Sequence, residues 1–326
     1  MLEATELQVE FPGRGGRRAR AVDGVNLAIG DGEIVALVGE SGCGKTTLAR
    51  TLLGLERPSG GRVTYDGVPL SYKTRALRAF RRQVQLVLQD PMGSLNPRQT
   101  VYEAVAEGPR IHGLPGKLSS ASDLPADEEA LVASALSRAG LRPPERFFQR
   151  YPHELSGGQR QRVVIAGALA LDPKVLIADE PVASLDASVR GEILSLLLRL
   201  RDDLGLSALV VTHDLGLAWN IADRVAVMYL GRIVESGPTE DVLTNPQHPY
   251  TQALLSVLPE SPARIVLTGE PPDPTRIPSG CRFHPRCQLV AAGNGTPACT
   301  TTPLPVLPTT PKPQVACHVA APPPTP

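Results

Sequence analysis

Gly39-Glu-Ser-Gly-Cys-Gly-Lys-Thr46 fits the pattern G-x-x-x-x-G-K-[ST] without deviation. This is the pattern of a phosphate-binding loop, in which glycines let the backbone curl so that its N–H groups face an anion. Lys45 can reach the β- and γ-phosphates of a nucleoside triphosphate, and the Thr46 hydroxyl can ligate Mg²⁺. The flanks agree. Glu33-Ile-Val-Ala-Leu-Val38 is a short apolar run that reads as a buried strand. In Thr47-Leu-Ala-Arg-Thr-Leu-Leu53, Leu48 and Leu52 stand four apart on one helical face. A helix starting at the loop turns its positive end toward the phosphates.

The chain of 326 residues has room for one large domain with an appendage, or for two domains. Lys+Arg and Asp+Glu both count 33, so there is no global attraction to nucleic acid or anionic lipid. Arg14, Arg17, Arg18 and Arg20 form a small basic run among glycines, read as a solvated loop. No apolar stretch approaches the ~18 residues of a membrane span, and Met1-Leu-Glu-Ala-Thr-Glu lacks the apolar region of a secretory signal. A cytoplasmic protein is expected, docked on other subunits if it works at a membrane.

Two further apolar runs end in polar residues. Val175-Leu-Ile-Ala-Asp-Glu180 reads as a buried parallel strand that delivers two carboxylates at its C-terminal edge, where α/β proteins place ligands. Asp179 would hold Mg²⁺ and Glu180 would polarise the attacking water as a general base. Leu209-Val-Val-Thr-His213 places His213 at a strand end, suited to a γ-phosphate contact. Leu155-Ser-Gly-Gly-Gln159 reads as a second helix N-terminus with exposed N–H groups, and so as a second anion site. Two phosphate-binding elements with one Lys-bearing loop suit a head-to-tail dimer, in which each nucleotide lies between the loop of one subunit and the Ser-Gly-Gly of the other.

In this order the pieces resemble the ATP-binding cassette (ABC) family over roughly residues 1–258. The resemblance implies an α/β fold: a P-loop NTPase cassette whose RecA-like core carries an antiparallel β subdomain and a helical subdomain at about 92–160. It implies nucleotide contacts from Gly39, Ser41, Gly42, Gly44, Lys45, Thr46 and Thr47, and from Ser156, Gly157, Gly158 and Gln159 of the signature. Gln89 matches the family's γ-phosphate-sensing glutamine, placed near Mg²⁺ with Thr46 and Asp179. Glu180, His213 and Gln89 are the implied catalytic residues. Ser184-Leu-Asp-Ala187 matches the dimer-contact loop, with Asp186 as its key residue. Phe11 is the candidate for stacking on adenine, with a core position in a small sheet as the other reading. Residues 113–130 look like a loose insertion.

Three stretches narrow the resemblance to ATPases of oligopeptide/dipeptide importers: Gln89-Asp-Pro-Met-Gly-Ser-Leu-Asn-Pro-Arg98, Asn245-Pro-Gln-His-Pro-Tyr-Thr-Gln-Ala-Leu254 and Pro278-Ser-Gly-Cys-Arg-Phe-His-Pro-Arg-Cys287. Composition shifts near residue 258, since 17 of the 33 prolines lie between Pro259 and Pro326. Residues 259–326 are therefore read as a Pro-rich C-terminal extension. It holds Cys281, Cys287, Cys299 and Cys317. A reducing cytosol disfavours disulfides. Four thiolates suit Zn²⁺ or an iron–sulfur cluster. The spacing lacks the C-x₂-C pairs of common zinc fingers, and the subfamily resemblance points to a [4Fe–4S] cluster, with four unliganded cysteines as the remaining alternative.

The resemblance implies an ATP-hydrolysing subunit, with ATP and Mg²⁺, of an importer for oligopeptides, dipeptides or a related solute. Its partners would be two transmembrane permeases, a second cassette ATPase (a heterodimer ahead of a homodimer) and, indirectly, an extracytoplasmic solute-binding protein. It would lie on the cytoplasmic face of the membrane. A second reading is a soluble cassette ATPase acting on nucleic acid or ribosomes; zero net charge and a single cassette count against it.

Overall fold

The computed structural model describes residues 1–88, 90–114, 127–183, 185–258 and 264–320, excepting the side chains of Arg14, Pro91 and Met92. In chain order the strands are β1 (Leu2–Pro12), β2 (Arg18–Ile29), β3 (Ile34–Val38), β4 (Gly60–Tyr65), β5 (Val68–Pro69), β6 (Val84–Val87), β7 (Val175–Asp179), β8 (Ser207–Thr212), β9 (Arg224–Tyr229), β10 (Arg232–Pro238) and β11 (Gln314–Val315). The helices of seven or more residues are α1 (Lys45–Leu52), α2 (Thr74–Gln83), α3 (Val101–His112), α4 (Glu128–Arg138), α5 (Gly157–Leu169), α6 (Ala187–Leu204), α7 (Leu215–Ile221) and α8 (Pro249–Leu255). The chain forms two compact units: residues 1–30, 34–70 and those from 210 on make the first, and residues 31–33 and 71–209 the second. No helix among the described residues is long and apolar enough to cross a membrane.

In the first unit, β2, β1, β4 and β5 form an antiparallel sheet in that order. Along β1 the buried positions change parity, from Leu2 and Ala4 to Leu7 and Val9. The register with β2 shifts between Ala4 and Leu7, and Glu6 there takes φ +49. A bulge of one residue thus keeps both apolar pairs on the core face. Beside this sheet, β10 pairs antiparallel with β9, and β9 parallel with β3. Every residue of β3 is buried, as befits a strand covered on both faces. The short β11, from the Pro-rich segment, adds to the edge of β10 through Glu235 and Ser236.

In the second unit β6 pairs parallel with β7, from Val84↔Val175 to Val87↔Ala178. The segment 31–33 meets the start of β8 here, with Ala208 N–H donating to Glu33 at 2.8 Å. Helices α3, α4 and α5 pack on one another. A capping box at Thr100 and Glu103 opens α3, and Asp127 caps α4. Arg110 grips the Glu128 carboxylate at 2.6 and 2.9 Å, linking the end of α3 to the start of α4.

Two expectations change. The basic run is not all loop, because β2 already begins at Arg18. Glu10 of β1 lies 2.9 Å from Arg18 and 3.5 Å from Arg20, so two of the four arginines serve a strand pair. The stretch 113–130, expected to be a loose insertion, also meets helix at both margins. Gly113 closes α3, and Asp127 to Ala130 make the cap and first turn of α4; residues 115–126 lie outside the described residues.

Asn245–Leu254 has a structural explanation. The buried Glu235 carboxylate accepts N–H bonds from Gln247 at 2.7 Å and His248 at 3.0 Å. His248 caps α8, its Nδ1 accepting from Tyr250 N–H at 3.0 Å, so the ring is neutral with its proton on Nε2. Burial pushes the His248 pKa down to about 3. Between that value and the ordinary pKa of about 6.5 only the unfolded chain takes up the proton, so stability falls as pH drops through this window. His248→Asn keeps an N-cap acceptor and removes the titration. From about pH 7 to about pH 5 the wild-type chain is expected to lose about 2 kcal/mol more stability than the variant. Chemical denaturation at the two pH values checks this, and equal losses would exonerate the ring.

Candidate nucleotide site

The first unit carries the phosphate loop. Buried β3 ends at Val38, the loop follows, and α1 begins at Lys45 with Gly44 as its N-cap. Gly39 takes φ +154, and a Cβ there would lie 2.2 Å from the Met228 carbonyl oxygen of β9. Gly44 takes φ +111, and a Cβ there would lie 2.1 Å from the Ala21 carbonyl oxygen of β2. No side chain fits at either place. The Lys45 ammonium is buried and donates to the carbonyls of Gly39 at 2.7 Å and Glu40 at 2.9 Å. It therefore lies across the mouth of the loop. Ser41, Gly42 and Thr46 are exposed and Thr47 is half-buried. Burial raises the Cys43 thiol, with nearby Lys45 opposing the shift.

His213 is exposed and directly follows β8 in the same unit. The next residue, Asp214, caps α7 by accepting from Leu217 N–H at 3.1 Å. Phe11 is half-buried near the end of β1, opposite Ala19 of β2.

In the second unit Asp179 ends β7 and Glu180 follows, both half-buried. Glu180 takes φ +46, a left-handed conformation that costs a side-chain-bearing residue and turns the chain sharply at the strand end. The Ser-Gly-Gly segment opens α5 as expected. Ser156 Oγ accepts from Gln159 N–H at 3.2 Å, and the Gln159 amide oxygen accepts from Ser156 N–H at 3.1 Å. This capping box leaves the Gly157 and Gly158 N–H groups ahead of the first intrahelical bond, from Arg160 to Ser156. The helix start lies tight against α6: a Cβ on Gly158 would come within 2.5 Å of Val189 Cγ1. Exposed Asp186 precedes α6 and makes no side-chain capping bond. Gln89 and Ser184 lie outside the described residues.

The four extension cysteines line one small apolar cavity with Phe283, His284 and His318. The Cys317 sulfur accepts N–H bonds from Val319 and Ala320, each at 3.4 Å. Burial pushes the Cys281 thiol up to about 11 and raises Cys287. A thiolate there needs a compensating positive charge. Among the described residues no group of three or more His, Cys, Asp or Glu is close enough together to hold a metal ion. The expected cluster or zinc ion thus has a shared cavity but no ready-made ligand set.

Residues 22–183 match the ABC transporter family model, and residues 234–293 match the C-terminal region of oligopeptide/dipeptide transporters. The chain belongs to the ABC transporter family. It is 45% identical over 300 residues to the dipeptide transport ATP-binding protein DppF of Haemophilus influenzae, covering 88% of each chain. It is 44% identical over 295 residues to the putative oligopeptide transport ATP-binding protein YkfD of Bacillus subtilis, covering 88% of this chain and 87% of the other. The glutathione import ATP-binding protein GsiA of Escherichia coli is 45% identical over 306 residues, which are 90% of this chain and 46% of that one. Among solved structures, cbiO1 of Clostridium perfringens, part of the ABC transporter complex cbiONQ, aligns with TM-score 0.64 and 33% identity over 75% of this chain and 90% of its own. The cassette MJ0796, a dimer bound to ADP and Pi, aligns with TM-score 0.62 and 30% identity over 73% and 99%. An α/β cassette fold with the ATP-hydrolysing chemistry of its family follows.

Sequence reasoning missed the role of two residues that hold this ABC cassette's loop from outside it. The Glu40 N–H, within the loop but outside the expected nucleotide contacts, donates to buried Tyr250 Oη at 2.8 Å. The Glu40 carboxylate is gripped by Arg286 of the extension at 2.7 and 3.1 Å. Tyr250 and Arg286 both lie in stretches that marked the subfamily, so the signal was present without its mechanism. At the signature, Gly158→Ala is expected to cost about 1–3 kcal/mol of stability, because the new methyl group must push α5 off Val189. Urea denaturation checks this; a neutral substitution would mean that the contact yields freely.

Proposed function

We infer that this chain is the ATP-hydrolysing subunit of an importer for oligopeptides, dipeptides or a related small solute. The observation that carries the reading is one chain with an intact phosphate loop, a capped Ser-Gly-Gly helix and a C-terminal region of the oligopeptide/dipeptide type. The curated relatives named above support it, and they disfavour the nucleic-acid alternative.

In this reading Gly39, Ser41, Gly42, Gly44, Lys45, Thr46 and Thr47 take the phosphates, and Phe11 stacks on adenine. Thr46, Asp179 and Gln89 hold Mg²⁺ and its waters. Glu180 polarises the attacking water, and His213 holds the γ-phosphate. Ser156, Gly157, Gly158 and Gln159 contact the nucleotide of the opposing subunit, beside Asp186. ATP binds the closed head-to-tail dimer better than the open one, which is how binding drives closure. Hydrolysis removes that preference. The Asp90–Arg98 segment, which follows Gln89 and leads into the helical subdomain, is the docking surface for a permease. Two permeases, a second and different cassette, and indirectly a solute-binding protein complete the assembly at the cytoplasmic face of the membrane. Cys281, Cys287, Cys299 and Cys317 are the residues that would hold a [4Fe–4S] cluster, in preference to zinc, as a structural clip for the extension.

Glu180→Gln is expected to bind ATP normally, to lose at least about 100-fold in turnover and to accumulate as a dimer; full turnover would remove Glu180 from its role. Lys45→Ala is expected to weaken ATP binding by roughly 10- to 100-fold, since a charged hydrogen bond contributes about 1.5–3 kcal/mol. Pull-down from the host's membranes should recover two multi-helix permeases and a second cassette, whereas ribosomal or repair proteins would overturn the importer reading. Iron, sulfide and zinc analysis of anaerobically purified chain should find iron and sulfide; absence of all three would leave the cysteines without a metal.

A further inference from the structure

Glu40 is an unexpected residue to find where phosphates are to bind. A carboxylate in the loop repels an incoming nucleotide unless a cation answers it. The answering cation comes from 246 positions away. Arg286 is buried, its side chain 6% exposed, and it meets both Glu40 oxygens in the two-pronged geometry that a guanidinium makes with a carboxylate. Tyr250 Oη holds the backbone N–H of the same residue. Glu40 is thereby fixed at main chain and side chain from outside the loop.

Arg286 is itself well placed. It ends a single 3₁₀ turn, His284–Arg286, tied by N–H bonds from His284 to Cys281 at 3.0 Å and from Arg286 to Phe283 at 2.9 Å. The other arginine of this segment, Arg282, donates to the Leu230 carbonyl and to Asp23 of β2. Next to Leu230, Gly231 N–H donates to the Cys43 carbonyl of the phosphate loop at 2.8 Å. The hexapeptide after Cys281 thus reaches the loop near both ends, directly at Glu40 and through Gly231 at Cys43.

We propose that Arg286 is a positioning residue for the nucleotide: by neutralising and anchoring Glu40 it keeps the phosphate loop receptive to ATP. The C-terminal segment then sets ATP affinity, while the chemistry stays with the cassette. This rests on the nucleotide-site reading above. Arg286 touches no reacting atom, so the effect falls on binding and KM, not on turnover at saturating ATP.

The test measures Mg·ATP binding and ATPase kinetics of the full chain as wild type, Arg286→Gln, Glu40→Gln and the double variant, with thermal unfolding of each. The two single changes are expected to act in opposite directions. Arg286→Gln exposes the carboxylate and weakens ATP by roughly tenfold, with kcat held. Glu40→Gln leaves an extra cation beside the phosphates and tightens ATP by about threefold. The double variant recovers most of the loss of Arg286→Gln. A merely structural ion pair would weaken binding on removal of either partner, with no recovery in the double variant, and that outcome overturns the proposal, as does wild-type affinity in Arg286→Gln. If Arg286→Gln fails to fold, Arg286→Lys, which keeps the charge without the fork, must raise KM at constant kcat; an unchanged KM overturns the proposal. A folded wild-type chain that binds no nucleotide would overturn the site reading itself, whereas wild-type binding with the variant unchanged would overturn only the role of Arg286.

Discussion

No side chain fits between the phosphate loop and the two strands beside it. At Gly39 the carbonyl of Met228, and at Gly44 the carbonyl of Ala21, already occupy the place of a Cβ. The loop is therefore shaped by β9 and β2 as much as by its own glycines. Those strands fix the curl that turns backbone N–H groups toward an anion, and the start of α1 follows from it. Anything that moved β2 or the β9–β10 turn would reshape the loop.

Those same strands are held by the Pro-rich segment. Arg282 pins the β9–β10 turn through Leu230 and pairs with Asp23 on β2, and Arg232 also donates to the Asp23 carbonyl at 3.1 Å. Asn26 of β2 donates to Leu307 at 3.0 Å, and its amide oxygen takes the N–H of Glu6 at the β1 bulge. Buried ion pairs repay their desolvation poorly, but they are costly to break once formed. Such contacts suit a segment that must sit in one register more than one that must add stability. Zero net charge thus conceals local pairing, with arginines from the extension answering carboxylates that flank the nucleotide loop.

Much of the fold was legible because it is written in short range. The runs before Gly39, Asp179 and His213 became β3, β7 and β8, and the helices after Gly44 and Ser156 start where their caps require. Burial on both faces makes a parallel strand a continuous apolar run, and a cap is a pattern of three or four residues. The misses are long-range. Nothing in the basic run announces that Glu10 will neutralise Arg18 and Arg20, since that depends on the register of β1 with β2. Nothing local couples Glu40 to Arg286. Sequence reading named candidate residues for the site but not the contacts that brace the phosphate loop from the extension.

The composition shift near residue 258 illustrates the same limit. Proline and cysteine enrichment suggested a segment with little core, yet Phe283 is buried and packs edge-on against Tyr229 at 5.2 Å, beside Tyr250 and His248. One aromatic side chain contributes a large apolar area, so a few inserted residues can anchor a proline-rich stretch whose described helices, Gln288–Ala291 and Ala298–Thr301, are only four residues long. Cys281, Cys299, Leu304, Leu307 and Ala316 are buried with it. The segment is a satellite of the first unit's core, and residues on both sides of the compositional boundary build that satellite. The matched importer region begins at residue 234, inside β10, and runs through α8 into the cysteine turn. That span holds Glu235, His248, Tyr250 and Arg286 together, the residues that cap α8 and grip Glu40. The matched region therefore follows the packing around the phosphate loop, whereas composition records only where the regular elements become short.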